Sequence, residues 1–326
     1  MRILIIGGTR FVGRHITEAA LAAGHEVSLL HRGLTGPGLF PEAEHLIADR
    51  DTGLEVLGDR RWDATVDVSA YLPSQVGALA DAVAGPERGG RYVFVSTTAV
   101  YAAGQKPGFT EDAPLAATGG PVPETVTGET YGPLKVLCER TAAERFGPGT
   151  LVVRPTYVIG PHDYTGRFTY WVNRIARGGE VLAPGDPSAP IQVIDGRDMA
   201  SWVIAMVEKG GGGTFHAVSP PPPFTFGDML EQIAAEVAPA GTTLTWVDAD
   251  FLHAGGQDGR SLPLWGGGGD TSINAADPAA ARAAGLDPRP FRQSVREIRA
   301  AEADHTVETT VSAEREAEIL AAWHAR

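Results

Sequence analysis

The first half of the chain alternates short apolar runs with stretches in which apolar residues recur every three to four positions. The short runs predict strands over residues 3–6, 26–30, 45–48, 65–68, 92–96 and 151–153. The periodic stretches predict helices over about 11–23, 74–84 and 131–146. Strands and helices in this alternation are typical of parallel sheets, so the sequence predicts a doubly wound α/β fold.

The pattern loosens after Pro155. Residues 102–128 predict a long loop, and glycine or proline runs at 210–213, 220–223 and 266–269 interrupt regular structure. Helices are predicted over about 198–208, 226–238, 291–302 and 312–324, and Thr225 with Asp228 predicts a cap for the second. We expect a cofactor domain over 1–165 with a return at about 191–218. Residues 166–190 and 219–326 are predicted to form a smaller substrate-binding lobe.

Composition and charge narrow the classes of function. Of 326 residues, 43% are hydrophobic and 21% charged, as in a globular protein of about two domains. A net charge of -13 repels polyanions, so no nucleic acid partner is expected. No apolar run reaches the roughly 18 residues of a membrane span, so no membrane partner is expected either. The single Cys138 suits a reducing compartment, so a cytoplasmic location is predicted. The nine histidines lack metal-ligand spacing, so no metal is predicted.

A glycine-rich turn, GGTRFVG at residues 7–13, lies between the first strand and the first helix. Glycines here permit a tight turn and let backbone amides approach a pyrophosphate at the positive end of the helix. A glycine turn alone is a weak signal, but the strand–turn–helix context within the first 25 residues makes it strong. We therefore expect a Rossmann-type sheet that binds a dinucleotide.

Tyr131 and Lys135 lie four positions apart at the start of a predicted helix and so project from one face. Pro133 between them is tolerated only in the first helical turn. A nearby ammonium favours the phenolate and lowers the phenol's pKa, which suits proton exchange with a carbonyl–alcohol pair. The hydroxyl cluster 96–98 ends the fifth predicted strand, where ligands collect on open α/β sheets.

Together these motifs resemble the extended and atypical short-chain dehydrogenase/reductase superfamily, in particular its epimerase/dehydratase-like branch. The resemblance rests on GGTRFVG, VFVSTTAVYA, YGPLK, RPTYVIGPHD and IQVIDGRDMA, in order over roughly residues 1–235. It implies an acid/base role for Tyr131, a modulating and ribose-binding role for Lys135, and a substrate hydrogen bond from Thr97. It also implies that Asp49 contacts the adenine and that Pro155 lies beside the nicotinamide.

Two departures from the superfamily's pattern affect the expected chemistry. Arg10 replaces the usual middle glycine of the turn, and Thr98-Ala99 stands where 4,6-dehydratases carry Asp-Glu, which argues against dehydration. The second strand runs into His31-Arg32 with no carboxylate for the ribose hydroxyls, so NADP is predicted as the cofactor rather than NAD. The predicted cofactor contacts are Gly7, Thr9, Arg10, Phe11, Val12, Gly13, His31, Arg32, Asp49, Ser69, Lys135 and Pro155.

Three functions compete at this point. The first is an NADP-linked oxidoreductase acting on a carbonyl or secondary alcohol of a small metabolite. The second is a sugar-nucleotide epimerase that returns the hydride to its substrate. The third is a non-catalytic nucleotide- or RNA-binding relative, because some proteins with the GGTRF turn bind RNA. Substrate identity and oligomeric state stay open, with a homodimer as one alternative, as does substrate contact by His162, Asp163 or Arg167.

Overall fold

The computed structural model describes residues 1–117, 119–303 and 310–326. The chain forms two compact units. Unit 1 comprises Met1–Val158, Val193–Ser219 and Ala276–Pro288, and unit 2 comprises Ile159–Gln192, Pro220–Ala275 and Arg289–Arg326. Residue 118 of the predicted long loop and residues 304–309 of the predicted lobe lie outside the described residues. The assignment of cofactor and substrate binding to separate lobes stays a prediction.

The strands of the described residues are β1 (Arg2–Ile6), β2 (Glu26–His31), β3 (Glu44–Ile47), β4 (Ala64–Asp67), β5 (Arg91–Val95), β6 (Leu151–Pro155), β7 (Tyr157–Ile159), β8 (Glu180–Pro184), β9 (Val193–Asp195), β10 (Gly213–Ala217) and β11 (Thr243–Val247). The helices are α1 (Phe11–Ala22), α2 (Pro73–Ala82), α3 (Pro86–Gly89), α4 (Tyr131–Phe146), α5 (Arg167–Ala176), α6 (Gly196–Lys209), α7 (Phe226–Val237), α8 (Ala249–Ala254), α9 (Ala279–Ala283), α10 (Phe291–Ala301) and α11 (Ala313–His324).

A seven-stranded sheet forms the centre of unit 1, in the order β10-β6-β5-β4-β1-β2-β3, and all its pairs are parallel. Alternate side chains of each strand point to opposite faces, and both faces are buried. On β1, Ile3 and Ile5 join a core with α1 and α6, whereas Leu4 and Ile6 join a core with α2 and α4. This Rossmann-like sheet confirms the predicted fold class.

The six predicted strands correspond to β1–β6, and their ends agree within two residues. The sequence pattern predicts these strands because their side chains are buried on both faces of the sheet, which makes each strand a short apolar run. Residues 102–117 contain no helix or extended strand, as expected for the long loop. Cys138 is buried in the core between α4 and the sheet, where burial raises the pKa of its thiol to about 12.

Unit 2 is built on helices α5, α7 and α10, which pack on one another, with β8 and β11 paired in parallel. Its core is aromatic: Phe168 and Trp171 of α5 are buried, and the Trp171 ring meets the Phe226 ring edge-on at 5.6 Å. The indole Nε1 of Trp171 donates a hydrogen bond of 2.6 Å to the Pro263 carbonyl. Two of the aromatic residues of segment 167–171 thus belong to the core of unit 2.

The predicted cap of α7 is confirmed. The Thr225 hydroxyl accepts a hydrogen bond of 3.0 Å from the Asp228 amide, and the Asp228 carboxylate accepts one of 2.9 Å from the Thr225 amide. Each side chain thereby satisfies a backbone donor that the first helical turn leaves unpaired.

Replacing Thr225 by Ala removes this cap and lowers the free energy of unfolding by about 1 kcal/mol. Urea denaturation followed by circular dichroism measures the change. Thr225→Ser keeps the hydroxyl and serves as the control, with a midpoint near that of the wild type. Equal midpoints for the alanine and serine variants contradict the assignment of the cap.

Candidate active site

The glycine turn between β1 and α1 brings backbone atoms unusually close together. Gly7 has a φ of +88°, and a Cβ added at Gly13 lies only 2.1 Å from the Gly7 carbonyl oxygen. Helix α1 has no acidic residue in its first turn and no side-chain cap at Arg10. Its positive end is therefore available to an anion, and the turn fits the pyrophosphate of a dinucleotide.

The other predicted residues of the turn take different positions. Thr9 is buried, with its Oγ1 3.1 Å from the Thr35 Oγ1, whereas Arg10 is exposed at the N-cap of α1. Phe11 is buried and starts the helix with a φ of +38°, and Val12 is half-buried. Backbone and small groups thus form the turn, with one exposed cation at its end.

The end of β2 carries the two residues that favour NADP in the sequence. His31 is buried, and its Nδ1 accepts a hydrogen bond of 3.1 Å from the Gly33 amide. Its Nε2 lies 2.8 Å from Nδ1 of His45, whose Nε2 donates to the Phe40 carbonyl. Burial and the His45 charge lower the pKa of His31. Both ring nitrogens of His31 therefore have protein partners, whereas Arg32 is exposed to solvent.

A buried charge pair joins Asp67 to Arg50, which adjoins Asp49, the predicted adenine contact, in the sequence. Asp49 is half-buried and accepts a hydrogen bond from the Asp51 amide, while the next residue, Arg50, points inward. Arg50 donates to both carboxylate oxygens of Asp67 at 2.8 and 2.9 Å and to the Ser69 hydroxyl at 3.1 Å. Ser69 in turn approaches the turn, since a Cβ added at Gly7 lies 3.1 Å from its Cβ.

The start of α4 packs directly on the segment that follows β5. A Cβ added at Gly132 lies 2.1 Å from the Ala99 carbonyl oxygen, so only glycine permits this approach. The helix begins at Tyr131, which puts Pro133 in the first turn as the sequence requires. The Thr97 hydroxyl accepts a hydrogen bond of 3.1 Å from the Ala99 amide. The turn that carries Tyr131 and the segment that carries Thr97 are therefore neighbours.

Lys135 lies inside the protein, with 3% of its surface exposed. Its Nζ donates to the Ala70 carbonyl at 2.9 Å and to the Val95 carbonyl at 2.8 Å, at the carboxyl ends of β4 and β5. The ammonium also lies 4.0 Å from the centre of the Phe94 ring. Burial lowers the pKa of Lys135 to about 8. These two hydrogen bonds leave one of the three ammonium protons for another acceptor.

A second buried network adjoins this site and was not anticipated from the sequence. Glu139, one turn beyond Lys135 on α4, accepts from Arg154 at 2.6 and 3.0 Å and from the Ser96 hydroxyl at 2.5 Å. Arg154 also donates to the Tyr101 hydroxyl, which lies 2.5 Å from Nε2 of His216. The spacing of Tyr131, Lys135 and Glu139 at four and eight positions was the available signal, since it puts all three on one helix face.

The end of β6 supplies the last predicted contact. Pro155 is buried and pairs with Ala217 of β10 in the sheet register. The hydroxyl of the next residue, Thr156, is buried and has no hydrogen-bond partner within the described part of the chain. Because buried polar groups normally have partners, this hydroxyl is suited to a polar group of a ligand.

Residues left open by the sequence analysis lie in unit 2. The Asp163 carboxylate is buried and accepts from the Thr165 amide and hydroxyl at 2.9 and 2.6 Å, and the Thr165 hydroxyl also accepts from Arg167. The His162 amide donates to the Glu302 carboxylate at 2.8 Å. Over 1–117, 119–303 and 310–326, no group of three His, Cys, Asp or Glu residues is placed to hold a metal ion. No helix in the same ranges is long and apolar enough to span a bilayer.

Two known proteins are similar in sequence. Chloroplast stem-loop binding protein of 41 kDa b from Arabidopsis thaliana is 24% identical over 217 residues, covering 61% of this chain and 53% of the relative. The 2'-dehydrokanamycin reductase of Streptomyces kanamyceticus is 25% identical over 275 residues, covering 77% of this chain and 74% of the relative. The matched part of the chain thus spans about half the length of the first relative.

Solved structures share the fold at low identity. The Bordetella bronchiseptica enzyme WbmH, in complex with NAD+, has a TM-score of 0.70 at 18% identity, covering 94% of this chain and 99% of that one. Thermus thermophilus UDP-glucose 4-epimerase, in complex with NAD, has a TM-score of 0.67 at 18% identity, covering 92% and 100%. Residues 62–217 match the NAD dependent epimerase/dehydratase family. This matched segment, just under half of the chain, contains both Tyr131 and Lys135, and over it the chain is similar to that family.

Proposed function

We propose that the chain is an NADP(H)-dependent oxidoreductase that interconverts a carbonyl group and a secondary alcohol in a small metabolite. The observation that carries this proposal is the meeting of two segments, residues 95–99 and the start of α4, at the carboxyl edge of the sheet. Gly132 packs on Ala99, which lies two residues after Thr97. Lys135 donates a hydrogen bond to the carbonyl of Val95, which lies two residues before Thr97. A hydroxyl, a phenol and a buried ammonium thus belong to adjoining segments.

The proposed division of roles follows from these groups. The nicotinamide, when bound, supplies or accepts the hydride. Thr97 donates a hydrogen bond to the substrate oxygen, and Tyr131 donates the proton that this oxygen takes up on reduction. Lys135 offers its third ammonium proton to the ribose, and its charge stabilises the Tyr131 phenolate. Gly7, Gly13 and the first turn of α1 hold the pyrophosphate, while Asp49 and Ser69 border the adenosine.

Steady-state assay with NADPH and a panel of aldehydes and ketones tests the reaction. We expect consumption of NADPH with formation of one equivalent of alcohol, and reduction of NADP+ when the alcohol is supplied. Mass spectrometry of the purified protein is the companion measurement, since an exchangeable cofactor fits a reductase. An absence of net cofactor turnover with every substrate rejects the oxidoreductase.

The second candidate is a sugar-nucleotide epimerase. It is favoured by the likeness to UDP-glucose 4-epimerase and uses the same Tyr131 and Lys135. Inversion of a sugar-nucleotide hydroxyl without net NADPH consumption, together with tightly held oxidised dinucleotide, identifies it. The name of the Arabidopsis relative raises RNA binding as a third candidate. The charge of -13 opposes it, and titration with a stem-loop RNA tests it directly.

Preference for NADP(H) is proposed from charge at the end of β2. Arg32 is exposed there, and Arg10 is exposed at the start of α1, so both guanidinium groups are accessible to a 2'-phosphate. Replacing Arg32 by Ala lowers NADPH affinity by about tenfold and leaves NADH affinity unchanged, because only NADPH carries that phosphate. Fluorescence titration with both cofactors measures the change.

Arg61→Ala is the matched control, since Arg61 is another exposed arginine of unit 1 and pairs with Glu87 at 3.6 Å. It should change neither affinity. Equal wild-type affinities for NADPH and NADH, or tighter NADH, would show that Arg32 and Arg10 do not select the cofactor.

A further inference from the structure

We propose that Asp67 is a positioning residue that, through the backbone of Ala70, fixes the Lys135 ammonium and keeps it charged. Asp67 ends β4 and is wholly buried. Its Oδ1 accepts hydrogen bonds from the Ser69 amide at 3.0 Å and from the Ala70 amide at 3.1 Å. The carbonyl of the same Ala70 accepts the 2.9 Å hydrogen bond of Lys135. Two consecutive hydrogen bonds therefore link carboxylate and ammonium.

The carboxylate itself is held from two further sides. Arg50 donates two hydrogen bonds to it, and the Tyr92 hydroxyl donates a third at 2.9 Å. Although burial acts to raise it, the charge and hydrogen bonds of Arg50 hold the pKa of Asp67 below its ordinary value. A carboxylate with these donors stays ionised through the working range of pH and is fixed in orientation.

The other groups around Lys135 leave Asp67 as an effective counter-charge. Cys138 is neutral because burial raises its pKa to about 12, and burial also raises the pKa of Tyr92. Glu139 favours the charged ammonium but is paired with Arg154 in the neighbouring network. Arg50 opposes the ammonium charge. The rings of Phe94 and Tyr71, at 4.0 and 5.7 Å from Nζ, and the phenol of Tyr131 one turn earlier on α4 complete the surroundings.

This arrangement makes the charge of Lys135 sensitive to both members of the Arg50–Asp67 pair, in opposite directions. Removing the negative charge takes away an attraction for the ammonium. Removing the positive member takes away a repulsion. The consequence for turnover rests on the proposed role of Lys135, but the charge coupling does not, so the two can fail separately.

The chain offers a direct readout because it has only three lysines, Lys106, Lys135 and Lys209. Protein labelled with 13C at the lysine Cε gives three signals, and Lys135→Arg identifies the one from Lys135. Lys106 and Lys209 are exposed and serve as internal references. In the cofactor-free wild type, the Lys135 signal is expected to titrate near pH 8, below the ordinary range of a lysine side chain.

We expect Asp67→Asn to lower the Lys135 midpoint by about one pH unit, a tenfold weaker hold on the proton, and Arg50→Gln to raise it by a similar amount. Asp81→Asn is the matched control: this exposed carboxylate of unit 1 pairs with Arg145, and its loss leaves the midpoint unchanged. In the reductase assay, the alkaline limb of the pH profile of kcat moves with the Lys135 midpoint in each variant.

Each of the two variants decides the matter alone if the other does not fold. An unchanged Lys135 midpoint in a folded Asp67→Asn or Arg50→Gln protein overturns the proposal, as do shifts of both variants in the same direction. Opposite shifts in the spectra without any reductase activity support the charge coupling and reject the proposed function instead. Loss of activity with unshifted midpoints indicates a purely structural role for the pair and also overturns the proposal.

Discussion

Turnover of the Tyr131→Phe variant falls by roughly 100-fold or more, while its affinity for NADPH stays close to that of the wild type. The substitution removes the phenolic proton donor and keeps the ring that starts α4, so the packing of Gly132 on Ala99 persists. Steady-state kinetics with a carbonyl substrate, combined with cofactor titration, separates the two quantities.

Tyr71→Phe is the matched control for this experiment. The Tyr71 ring lies 6.2 Å from the Tyr131 ring, and the same oxygen is deleted from the neighbouring side chain. We expect the control to keep most of its activity because the proposed proton transfer does not use Tyr71. Full activity of Tyr131→Phe excludes Tyr131 as the acid/base, whereas equal losses in both variants point to a disturbance of the aromatic pair.

Replacing Gly13 by Ala weakens NADPH binding by roughly 100-fold, equivalent to about 2.7 kcal/mol. The new Cβ lies 2.1 Å from the Gly7 carbonyl oxygen, a fixed backbone atom, so the turn must open to accommodate it. Opening moves the backbone at the N-terminus of α1 away from the positions that fit a pyrophosphate. Cofactor titration measures the loss.

Gly77→Ala provides the comparison within the same unit. Gly77 also lies inside a helix, α2, but a Cβ added there has as its nearest atom the Arg145 guanidinium at 3.7 Å. Alanine favours helices over glycine by about 1 kcal/mol, so this variant keeps its NADPH affinity and unfolds no more readily than the wild type. A Gly13→Ala protein with undiminished affinity would remove the turn from the proposed cofactor site.

The sequence predicts those features that depend on neighbours along the chain. Buried strands are continuous apolar runs, the glycine turn is seven consecutive residues, and Thr225 and Asp228 are three positions apart, so each leaves a local pattern. Tyr131 and Lys135 share a helix face for the same reason.

The electrostatic interactions of the site join residues that are far apart in the sequence, so local sequence patterns do not predict them. Arg50 and Asp67 are 17 positions apart, and Glu139 and Arg154 are 15 apart, with strands or turns between them. The sequence pattern predicts that Lys135 is a neighbour of Tyr131. It does not predict that two carbonyls at the sheet edge accept hydrogen bonds from the Lys135 ammonium. The pattern also indicates His31 as a candidate cofactor contact. It does not predict that His45 and Gly33 form hydrogen bonds with both ring nitrogens of His31.

Arg32 is exposed and Lys135 is buried, so added salt affects the electrostatic interactions of these two charges differently. Mobile ions screen charges at the surface over about 8 Å under physiological conditions and hardly reach a charge enclosed by protein. Added salt therefore weakens any attraction between Arg32 and a phosphate, while the field around Lys135 stays nearly constant. Under the proposed role of Arg32, added salt is therefore expected to weaken the preference for NADPH over NADH without altering the acid–base properties of Lys135.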